Sequence, residues 1–426
     1  MLTTRPRGTN DILPGEVEKW QQLEEVLRKV AALYGYKEIR TPVFEHTELF
    51  QRGVGETTDI VEKEMYTFTD RGERSLTLRP EATASVVRAF VENKLFALPQ
   101  PTKLYYIGPM FRYDRPQAGR YRQFHQFDVE VFGSNSPTVD AEVIAMAMDI
   151  YEWLGLKGLK VELNSVGCAS CRPVHRQALQ KHLEAKKDEL CPTCQSRFER
   201  NPLRILDCKN PPCQELVKEA PTIDQHLCPE CKESFEAVQE QLKALGVPFH
   251  LNPRLVRGLD YYVQTAFEIV AEGIGAQSSV GGGGRYDGLV EQIGGPALPA
   301  IGFALGMERI LLAMEQQGLT IGKEASFDVY IAPLGESAQI PSAVLAQRLR
   351  KAGLAVERDY LKRSLKAQLK AADRFLVKYT VIMGEEELKN NQVVLRDMHD
   401  SSQLVLKLDE VEGYLKQELG KEDKGK

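Results

Sequence analysis

The chain has 426 residues, of which 42% are hydrophobic and 27% charged, and this balance excludes a disordered or a collagen-like chain. It has no apolar run of about eighteen residues, and its start lacks the apolar segment of a secretory signal, so we expect a cytoplasmic protein. The formal net charge of −5 excludes a globally basic surface, so any contact with nucleic acid must come from local patches.

The first three quarters of the chain predict an α+β domain, residues 1–322, with a mostly antiparallel sheet. Residues 16–34 carry apolar side chains at helical spacing, which predicts an amphipathic helix that ends at Gly35. Strand-like and helix-like segments then follow in an irregular order, which disfavours repeated βαβ units. The predicted strands are residues 75–78, 103–107, 127–132, 159–163, 247–252, 261–270 and 277–281, and the further helices are residues 81–95, 140–154 and 307–317.

All eight cysteines lie between Cys168 and Cys231, which indicates a small module, residues 168–235, inserted into this domain. Their spacing resembles that of zinc ribbons and predicts structural Zn²⁺. Taken in chain order, one site would use Cys168, Cys171, Cys191 and Cys194, and a second possible site Cys208, Cys213, Cys228 and Cys231. Two alternatives are reduced cysteines in a helical core and a site that includes His175 or His182.

The last part of the chain predicts a small α/β domain, residues 327–420. A linker at residues 318–326 precedes it, and a charged tail at residues 421–426 follows it. Strands and helices alternate here, which indicates a partly parallel sheet. The predicted strands are residues 329–332, 355–357, 379–383 and 393–397, and the predicted helices are residues 339–352, 364–372 and 411–419.

Arginine and glycine are concentrated in segments that could carry chemistry. No P-loop, zinc-peptidase or nucleophile-elbow motif occurs in the sequence. Arg112 follows an apolar strand, and its planar guanidinium group suits bidentate contact with phosphate, although an isolated arginine there would more often pair with a carboxylate. Three further segments combine arginines with strand or helix signals: residues 254–268, 281–288 and 300–312. Four such segments without a Walker or Rossmann motif favour nucleotide binding on an antiparallel sheet.

The order of these motifs resembles that of bacterial-type histidyl-tRNA synthetases, which are class II aminoacyl-tRNA synthetases. Residues 41–68 resemble the first class motif and its dimer-forming region, and residues 77–84 (TLRPEATA) resemble the amino-acid-binding segment. Residues 108–133 are similar to motif 2 and residues 300–312 to motif 3. Two further stretches resemble the family's histidine-specific signatures: LVRGLDYY at residues 255–262 and GGGGRYDGL at residues 281–289.

The resemblance implies a catalytic domain of class II fold, a C-terminal anticodon-binding domain and the histidine–tRNA ligase reaction. L-Histidine and ATP, with Mg²⁺, would form histidyl-adenylate, and the histidyl group would then pass to tRNA(His). The implied catalytic residues are Arg112 and Arg257. The implied ATP site is Arg112, Asp114, Phe124, Arg257 and Arg309, and the implied histidine site is Glu81, Ala82, Thr83, Gln126, Glu130, Tyr261 and Tyr262. Asp114 departs from the pattern, because many class II enzymes have Glu at that position.

Recognition of tRNA is expected at two places in the chain. The motif 2 loop would contact the acceptor end through Arg115, Gln117 and Arg122. Residues 348–378 hold ten basic and three acidic residues, which favours an anticodon-binding surface over a merely solvated helix face. The resemblance also implies a homodimer and no membrane partner. The alternative function is a non-catalytic paralogue that regulates ATP phosphoribosyltransferase, but such proteins lack the C-terminal domain.

Overall fold

The computed structural model describes residues 3–55, 58–271, 279–322 and 327–420, which belong to two compact units that divide after Gly322. The charged tail predicted at residues 421–426 lies outside the described part of the chain. No helix among the described residues is long and apolar enough to cross a membrane.

The first unit contains eleven strands and ten α-helices in its described residues. Its strands are β1 (Lys37–Glu38), β2 (Phe44–His46), β3 (Tyr66–Thr69), β4 (Ser75–Leu78), β5 (Thr102–Phe111), β6 (Gln123–Phe132), β7 (Leu159–Ser165), β8 (Phe249–Leu251), β9 (Val263–Ala271), β10 (Ser279–Arg285) and β11 (Ala300–Gly306). Its helices are α1 (Val17–Leu33), α2 (Thr47–Val54), α3 (Thr83–Glu92), α4 (Pro137–Trp153), α5 (Cys171–Leu183), α6 (Pro192–Arg200), α7 (Pro211–Leu216), α8 (Pro229–Ala244), α9 (Leu289–Gln292) and α10 (Met307–Gln316).

Eight of these strands form one sheet in the order β1-β5-β6-β11-β10-β9-β7-β8. The pairs at its two edges, β1 with β5 and β7 with β8, are parallel, and all the pairs between them are antiparallel. Strands β2, β4 and β3 form a separate antiparallel sheet. The α+β fold with a mainly antiparallel sheet, predicted from the sequence, is therefore confirmed.

The main hydrophobic core lies between the large sheet and helices α1, α4, α8 and α10. It includes Leu27, Ile144, Leu242 and Ile310, one buried residue from each helix. Strand β6 shows how the sheet separates core from cleft, since successive side chains of a strand point to opposite faces. Its residues 127, 129 and 131 are in this core, while its even-numbered residues before Phe132 face the other side.

The cysteine module lies between β7 and β8 and consists of the short helices α5, α6 and α7 with brief 3₁₀ turns between them. Helix α8 then returns the chain to the sheet, and Val238 and Leu242 on this helix pack into the main core. A helical return of this kind is what joins two parallel neighbouring strands such as β7 and β8. The module therefore ends on a helix that belongs to the main core.

The second unit has a five-stranded sheet in the order β13-β12-β14-β15-β16. Strand β12 pairs in parallel with β13 and β14, and the last two pairs are antiparallel. Its strands are β12 (Val329–Pro333), β13 (Val356–Arg358), β14 (Tyr379–Met383), β15 (Gln392–Asp397) and β16 (Gln403–Lys407), and its helices are α11 (Gln339–Lys351), α12 (Leu365–Arg374), α13 (Glu385–Lys389) and α14 (Val411–Glu418). The sequence did not predict β16 or α13, which are short and mostly exposed.

Several of the basic residues between positions 348 and 378 support the second unit internally. Arg363 pairs with the fully buried Asp359 through its Nε and donates to the Tyr330 hydroxyl over 3.2 Å. Arg350 donates to the Val356 carbonyl over 2.7 Å, and Arg358 donates to the Gln339 side chain over 3.1 Å. The count of basic residues therefore overstates the charge that this segment offers to a partner.

Candidate active site

A cleft of about 450 Å³ opens on the side of the large sheet away from the main core. Residues Phe124, Gln126, Asp128 and Glu130 of β6 line it, because the two-residue period of the strand places them on one face. The cleft also brings together eleven of the residues implied by the resemblance: Glu81, Thr83, Arg112, Asp114, Phe124, Gln126, Glu130, Arg257, Tyr261, Tyr262 and Arg309. Distant stretches of the chain thus converge on one site.

Three arginines line one end of the cleft. Arg112 follows β5, and its Nε donates to the Pro80 carbonyl over 2.7 Å while its guanidinium carbon lies 5.3 Å from the centre of the Phe124 ring. Arg309, on α10, donates to the Gly119 and Ser279 carbonyls over 3.2 and 2.5 Å. Burial lowers the pKa of Arg309, and the positive charges of Arg120 and Arg112 lower it further. Arginines held close enough to repel one another form a binding site for an anion such as a polyphosphate.

Arg257 is the third arginine and lies deeper, with its guanidinium group 5.4 Å from the centre of the Tyr262 ring. Its Nη1 is 4.0 Å from Glu268 Oε1, and its buried Nε has no hydrogen-bond partner. Gly282 makes room for it, since a Cβ at that position would lie 2.8 Å from Arg257 Nη1. A buried cation with an unused donor can accept a negatively charged ligand.

The glycines at positions 281–284 form strand β10 itself. The space left by their missing side chains is filled mainly by other parts of the protein. At Gly283 a Cβ would lie 2.0 Å from the Gly302 carbonyl oxygen on the paired strand β11, and at Gly281 it would lie 2.3 Å from the Leu305 side chain. These glycines thus allow close packing of the strands behind the cleft.

A buried carboxyl group, that of Glu130, forms the floor of the opposite end. It accepts hydrogen bonds from the hydroxyl of Tyr106 over 3.1 Å and from the hydroxyl of Tyr286. Burial raises the pKa of Glu130 to about 8. Gly302 provides the space for this carboxyl group, because a Cβ there would lie 2.1 Å from Glu130 Oε2.

Glu81 is a second buried carboxyl group of the cleft. Its two oxygens accept hydrogen bonds from the backbone N–H groups of Thr83 and Ala84 over 2.9 and 3.0 Å, at the start of α3. Burial raises the pKa of Glu81. Ala82, which the resemblance implied as a histidine contact, is fully buried and does not line the cleft. Its side chain packs in the apolar cluster beneath the site.

An aromatic wall closes the deep end of the cleft. The rings of Tyr261 and Tyr262 are 4.6 Å apart between centroids, and the ring of Tyr286 stands edge-on to Tyr261 at 5.7 Å. All three hydroxyls have a raised pKa, first because they are buried. They are therefore neutral and can donate hydrogen bonds in a small polar pocket with apolar sides.

The motif 2 loop, between β5 and β6, holds the remaining implied residues. Asp114 lines the cleft, and its Oδ2 pairs with Arg120 Nη1 at 3.0 Å. Arg115, Gln117 and Arg122 do not line the cleft. The guanidinium carbon of Arg122 lies 3.8 Å from the centre of the Tyr113 ring, and Gln117 borders a shallow depression of about 440 Å³ beside residues 5–10.

Among the residues that contact or line the site without having been identified from the sequence, four stand out. Tyr106 and Asp128 stand on predicted strands, and strand alternation is the signal that could have placed them beside Glu130. Tyr286 belongs to a motif that the sequence did single out, but without a role. Arg204 lines the cleft from the cysteine module, and no local pattern indicates that contact.

The predicted assignment of the eight cysteines to two groups is wrong. The thiols that cluster are Cys168, Cys171, Cys228 and Cys231 in one group, and Cys191, Cys194, Cys208 and Cys213 in the other. The chain folds back on itself within the module, so the first and last pairs meet and the two middle pairs meet. Neither group includes a histidine: His175 contacts the Pro221 carbonyl at 2.8 Å, and His182 the Leu216 carbonyl at 3.4 Å.

Arg285 lies in one of the arginine segments but has a structural position. It is 1% exposed, and its Nη2 pairs with Oδ1 of the buried Asp140 at 2.6 Å. Its Nη1 also lies 3.3 Å from Asp287 Oδ1. The local sequence does not distinguish it from the arginines of the cleft, because the pairing carboxylate of Asp140 lies on the distant helix α4.

Comparison with known proteins identifies the family. The family model of histidyl-tRNA synthetase matches residues 8–310, and that of the anticodon binding domain matches residues 328–418. The chain belongs to the histidyl-tRNA synthetase family. The histidine–tRNA ligases of Desulforamulus reducens and Moorella thermoacetica are 64% and 60% identical to it, over 98% and 97% of this chain and 99% and 98% of theirs.

A solved structure agrees with this assignment. The apo histidyl-tRNA synthetase of S. aureus is 43% identical to the chain, with a TM-score of 0.83, over 97% of this chain and 100% of that one. The predicted membership of the synthetase family is confirmed, and with it the two-part fold of a class II catalytic unit and an anticodon-binding unit. The full-length match to ligases and the anticodon-binding match show an aminoacyl-tRNA ligase and not the regulatory paralogue.

Proposed function

We propose that the protein is a histidine–tRNA ligase that activates L-histidine with ATP and transfers the histidyl group to the 3′ end of tRNA(His). The observation that carries this proposal is the convergence of Arg112, Arg257 and Arg309 on one cleft beside a pocket of buried carboxyl and hydroxyl groups. The first set suits a triphosphate and the second suits a small polar cation.

ATP would occupy the arginine-lined end of the cleft. Phe124 would stack on adenine, and Arg112 would bind the α-phosphate from the same side, since its guanidinium group already lies against the Phe124 ring. Arg309 would bind the γ-phosphate. Asp114 would contribute to ATP binding by holding the motif 2 loop in place, because its carboxylate pairs with Arg120 of that loop.

Mg²⁺ would accompany the triphosphate. Among the described residues, the two groups of thiols are the only clusters that could hold a metal ion by themselves. Mg²⁺ commonly binds through substrate phosphates with few protein ligands, so the cleft is compatible with an ion carried by ATP. Bound in that way, Mg²⁺ would neutralise phosphate charge.

Histidine would lie at the deep end, between the two buried carboxyl groups. Glu81, Thr83 and Gln126 would hold the α-ammonium group, and the buried Oε1 of Gln126, which has no partner, supplies an acceptor for it. Glu130 and Tyr262 would contact the two ring nitrogens, with Tyr261 nearby. Each ring nitrogen of histidine then has a hydrogen-bond partner. An amino acid whose side chain lacks these nitrogens would leave the buried polar groups of the pocket unpaired.

Adenylate formation would need positioning and charge stabilisation more than covalent help from the protein. The histidine carboxylate would attack the α-phosphorus in line, and pyrophosphate would leave. Negative charge would grow on the α-phosphate oxygens, where Arg112 and Arg257 provide fixed positive charge. In the second step the 3′-terminal ribose hydroxyl of the tRNA would attack the carbonyl carbon of the adenylate and release AMP.

The tRNA would contact both units. Arg115, Gln117 and Arg122 would contact the acceptor end, because they lie on the loop that borders the cleft. Residues 328–418 would bind the anticodon, as the match to the anticodon binding domain suggests. Such contacts make binding depend on salt concentration. The use of tRNA places the proposed activity in the cytoplasm.

The proposal includes a homodimer. Residues 41–68 resemble the dimer-forming region of class II synthetases, and the small sheet in this stretch carries exposed apolar side chains. Val43, Phe44 and Phe68 are 39%, 48% and 44% exposed. Sedimentation of the purified chain at several concentrations would test this point.

The test of the function is ATP–pyrophosphate exchange with all twenty amino acids assayed in parallel. We expect exchange with histidine alone. Transfer to tRNA(His) should then follow in an aminoacylation assay. Absence of histidine-dependent exchange with saturating ATP and Mg²⁺ would refute the proposed function.

A further inference from the structure

The eight thiols of the cysteine module form two compact groups in the structure. The outer group is Cys168, Cys171, Cys228 and Cys231, the inner group is Cys191, Cys194, Cys208 and Cys213, and within each group the sulfur atoms lie within 4.8 Å of one another. A tetrahedral Zn²⁺ with Zn–S bonds of about 2.3 Å requires sulfur atoms about 3.8 Å apart.

The separations between the sulfur atoms agree with that requirement. Cys168 Sγ is 3.5 Å from Cys171 Sγ and 3.9 Å from Cys228 Sγ, and Cys191 Sγ is 3.9 Å from Cys208 Sγ. A disulfide would need a sulfur–sulfur distance of about 2.05 Å, and all eight cysteines are free. Four thiols around one point also differ from ordinary core cysteines, which pack against apolar side chains.

The two groups have the same architecture, although they come from different parts of the sequence. Each contains one Cys-Pro-x-Cys motif at the start of a helix: Cys191 precedes α6 and Cys228 precedes α8, with the second cysteine in the first turn. In each group two of the cysteines are buried and two are partly exposed. One arrangement built twice from unrelated segments indicates one chemical requirement.

Backbone N–H groups point at the sulfur atoms in the same way in both groups. Cys228 N donates to Cys171 Sγ over 3.1 Å, and Cys191 N donates to Cys213 Sγ over 3.2 Å. Ser170 N and Asn210 N donate to Cys168 Sγ and Cys208 Sγ over 3.4 and 3.5 Å. Donors around the ligand atoms stabilise the thiolate form and orient metal ligands.

The module has only a modest apolar core of its own. One cluster has ten buried residues, among them Cys194 and Cys213, and the other consists of Cys171, Cys231 and Ile223. Short helices with so small a core usually need a disulfide or a metal to be stable. Soft thiolates in a tetrahedral, fully occupied set favour a structural Zn²⁺.

We infer that the module binds two structural Zn²⁺ ions, one in the outer group, which ties together the two ends of the module, and one in the inner group, which holds the helices between them. This inference concerns metal content and is independent of the proposed ligase reaction. It replaces the pairing in chain order that the cysteine spacing suggested.

The inner site supports the part of the module that contacts the cleft. Arg197 and Arg200 on α6 pair with Asp59 and Glu62 at 2.7 and 2.6 Å. Arg204, which follows α6, donates to the backbone carbonyl of Arg257 over 2.7 Å. The inner Zn²⁺ therefore fixes the helix that braces two walls of the cleft.

Metal analysis of the full-length protein, purified without chelator and then desalted, tests the inference. Mass spectrometry of the native protein and elemental analysis should give two Zn²⁺ ions per chain. Replacement by Co²⁺ should give the intense charge-transfer absorption of tetrahedral thiolate coordination. A wild-type chain without zinc, or with iron in its place, would overturn the inference.

Two double variants test the pairing of the groups. The Cys168→Ser/Cys228→Ser variant alters only the outer group and should keep one Zn²⁺. The Cys168→Ser/Cys191→Ser variant alters both groups and should keep none. Pairing in chain order demands the opposite result, so a zinc-free first variant with one ion left in the second would overturn the assignment.

The control for these variants is Lys209→Ala, which changes an exposed side chain beside Cys208 and should keep both ions. If either double variant fails to fold, the distances between metal and sulfur in the wild-type protein decide the matter by X-ray absorption. Two sites with four sulfur ligands each support the inference, and nitrogen or oxygen ligands contradict it.

Discussion

In the cleft, strand β6 of the large sheet carries Gln126, Asp128 and Glu130, and loops and helices beside the sheet carry other polar side chains, whereas in the cysteine module the thiols lie at or near the ends of short helices. The backbone hydrogen bonds from β5 to β6, and from β6 to β11, fix Glu130 and Gly302 opposite each other before any ligand arrives. The module has no such ladder in its described residues. The cleft is therefore organised by the fold itself, while we expect the module to depend on its bound ions.

This difference determines how many interactions a single substitution should change. A change in the cleft should alter one binding interaction, because the sheet holds the remaining groups in place. A change in the module should act on the cleft only through the few side chains that connect them. Four substitutions test this contrast.

Arg257→Ala should lower kcat/KM for histidine-dependent exchange by about 1,000-fold, the upper range for removal of one group that stabilises transition-state charge. The partly buried cation that lies against Gly282 in the cleft would be lost. The exchange assay measures the effect. Arg254→Ala, three positions earlier and outside the cleft lining, should leave exchange within about twofold. Equal losses in the two variants would contradict the role of Arg257.

Glu130→Gln should lower kcat/KM for histidine by about 100-fold, since a charged hydrogen bond to the substrate is worth up to about 3 kcal/mol. The pKa of Glu130 is raised to about 8 in the empty cleft, so the carboxyl group is mainly protonated at neutral pH. If histidine binds the ionised form, kcat/KM should fall as pH decreases below about 8, by up to about tenfold per unit.

The Glu130→Gln variant is its own control for pH. The imidazole of the substrate still titrates in that variant, and only the contribution of Glu130 disappears. Its pH profile should therefore be flatter between about 7 and 8 than that of the wild type. Identical profiles would show that Glu130 does not titrate in histidine binding.

Gly302→Ala should raise the KM for histidine by about tenfold and destabilise the protein by about 1–3 kcal/mol, the usual range for overpacking. The new Cβ would lie 2.1 Å from Glu130 Oε2 and 2.3 Å from the Val129 carbonyl, so the carboxyl group must move. Steady-state kinetics and thermal unfolding measure the two effects. Gly288→Ala, where nothing lies within 4 Å of the added Cβ, should change neither.

Arg204→Ala should reduce kcat for exchange by about 2- to 10-fold, the value of one hydrogen bond, and should leave the zinc content unchanged. The side chain donates to the Arg257 carbonyl, so it positions the loop that carries Arg257. Arg204→Lys should recover part of the rate. A change in zinc content, or a loss as large as that of Arg257→Ala, would break the distinction between cleft and module.

Many of the strands and helices of both units were predictable from the sequence. Strand β4 was predicted with its observed bounds, and α1 and α4 within a few residues, because long amphipathic patterns report burial directly. Strand β10 was harder, since four of its residues are glycines and carry no hydrophobic pattern. Strand β16 was missed because most of its side chains are exposed.

The site was predictable only where long motifs carried it. Residue type alone did not separate Arg285, which is buried in an ion pair, from the arginines of the cleft, whereas the resemblance placed eleven residues that line the cleft and Arg285 was not among them. It also gave no role to Tyr286, whose hydroxyl contacts Glu130. Partners of this kind lie far apart in the chain, and their distance in space follows only from the fold.

The class of fold, the family and the residue types of the cleft could be read from the amino-acid sequence, because strand and helix periods and ordered motifs are local properties of a chain. Which four thiols meet follows from the three-dimensional fold. Spacing along the chain favours neighbours, but the module folds back on itself, so Cys168 lies closer to Cys228 than the sequence suggested. Contacts across a fold depend on the whole path of the chain, and no local pattern records that path.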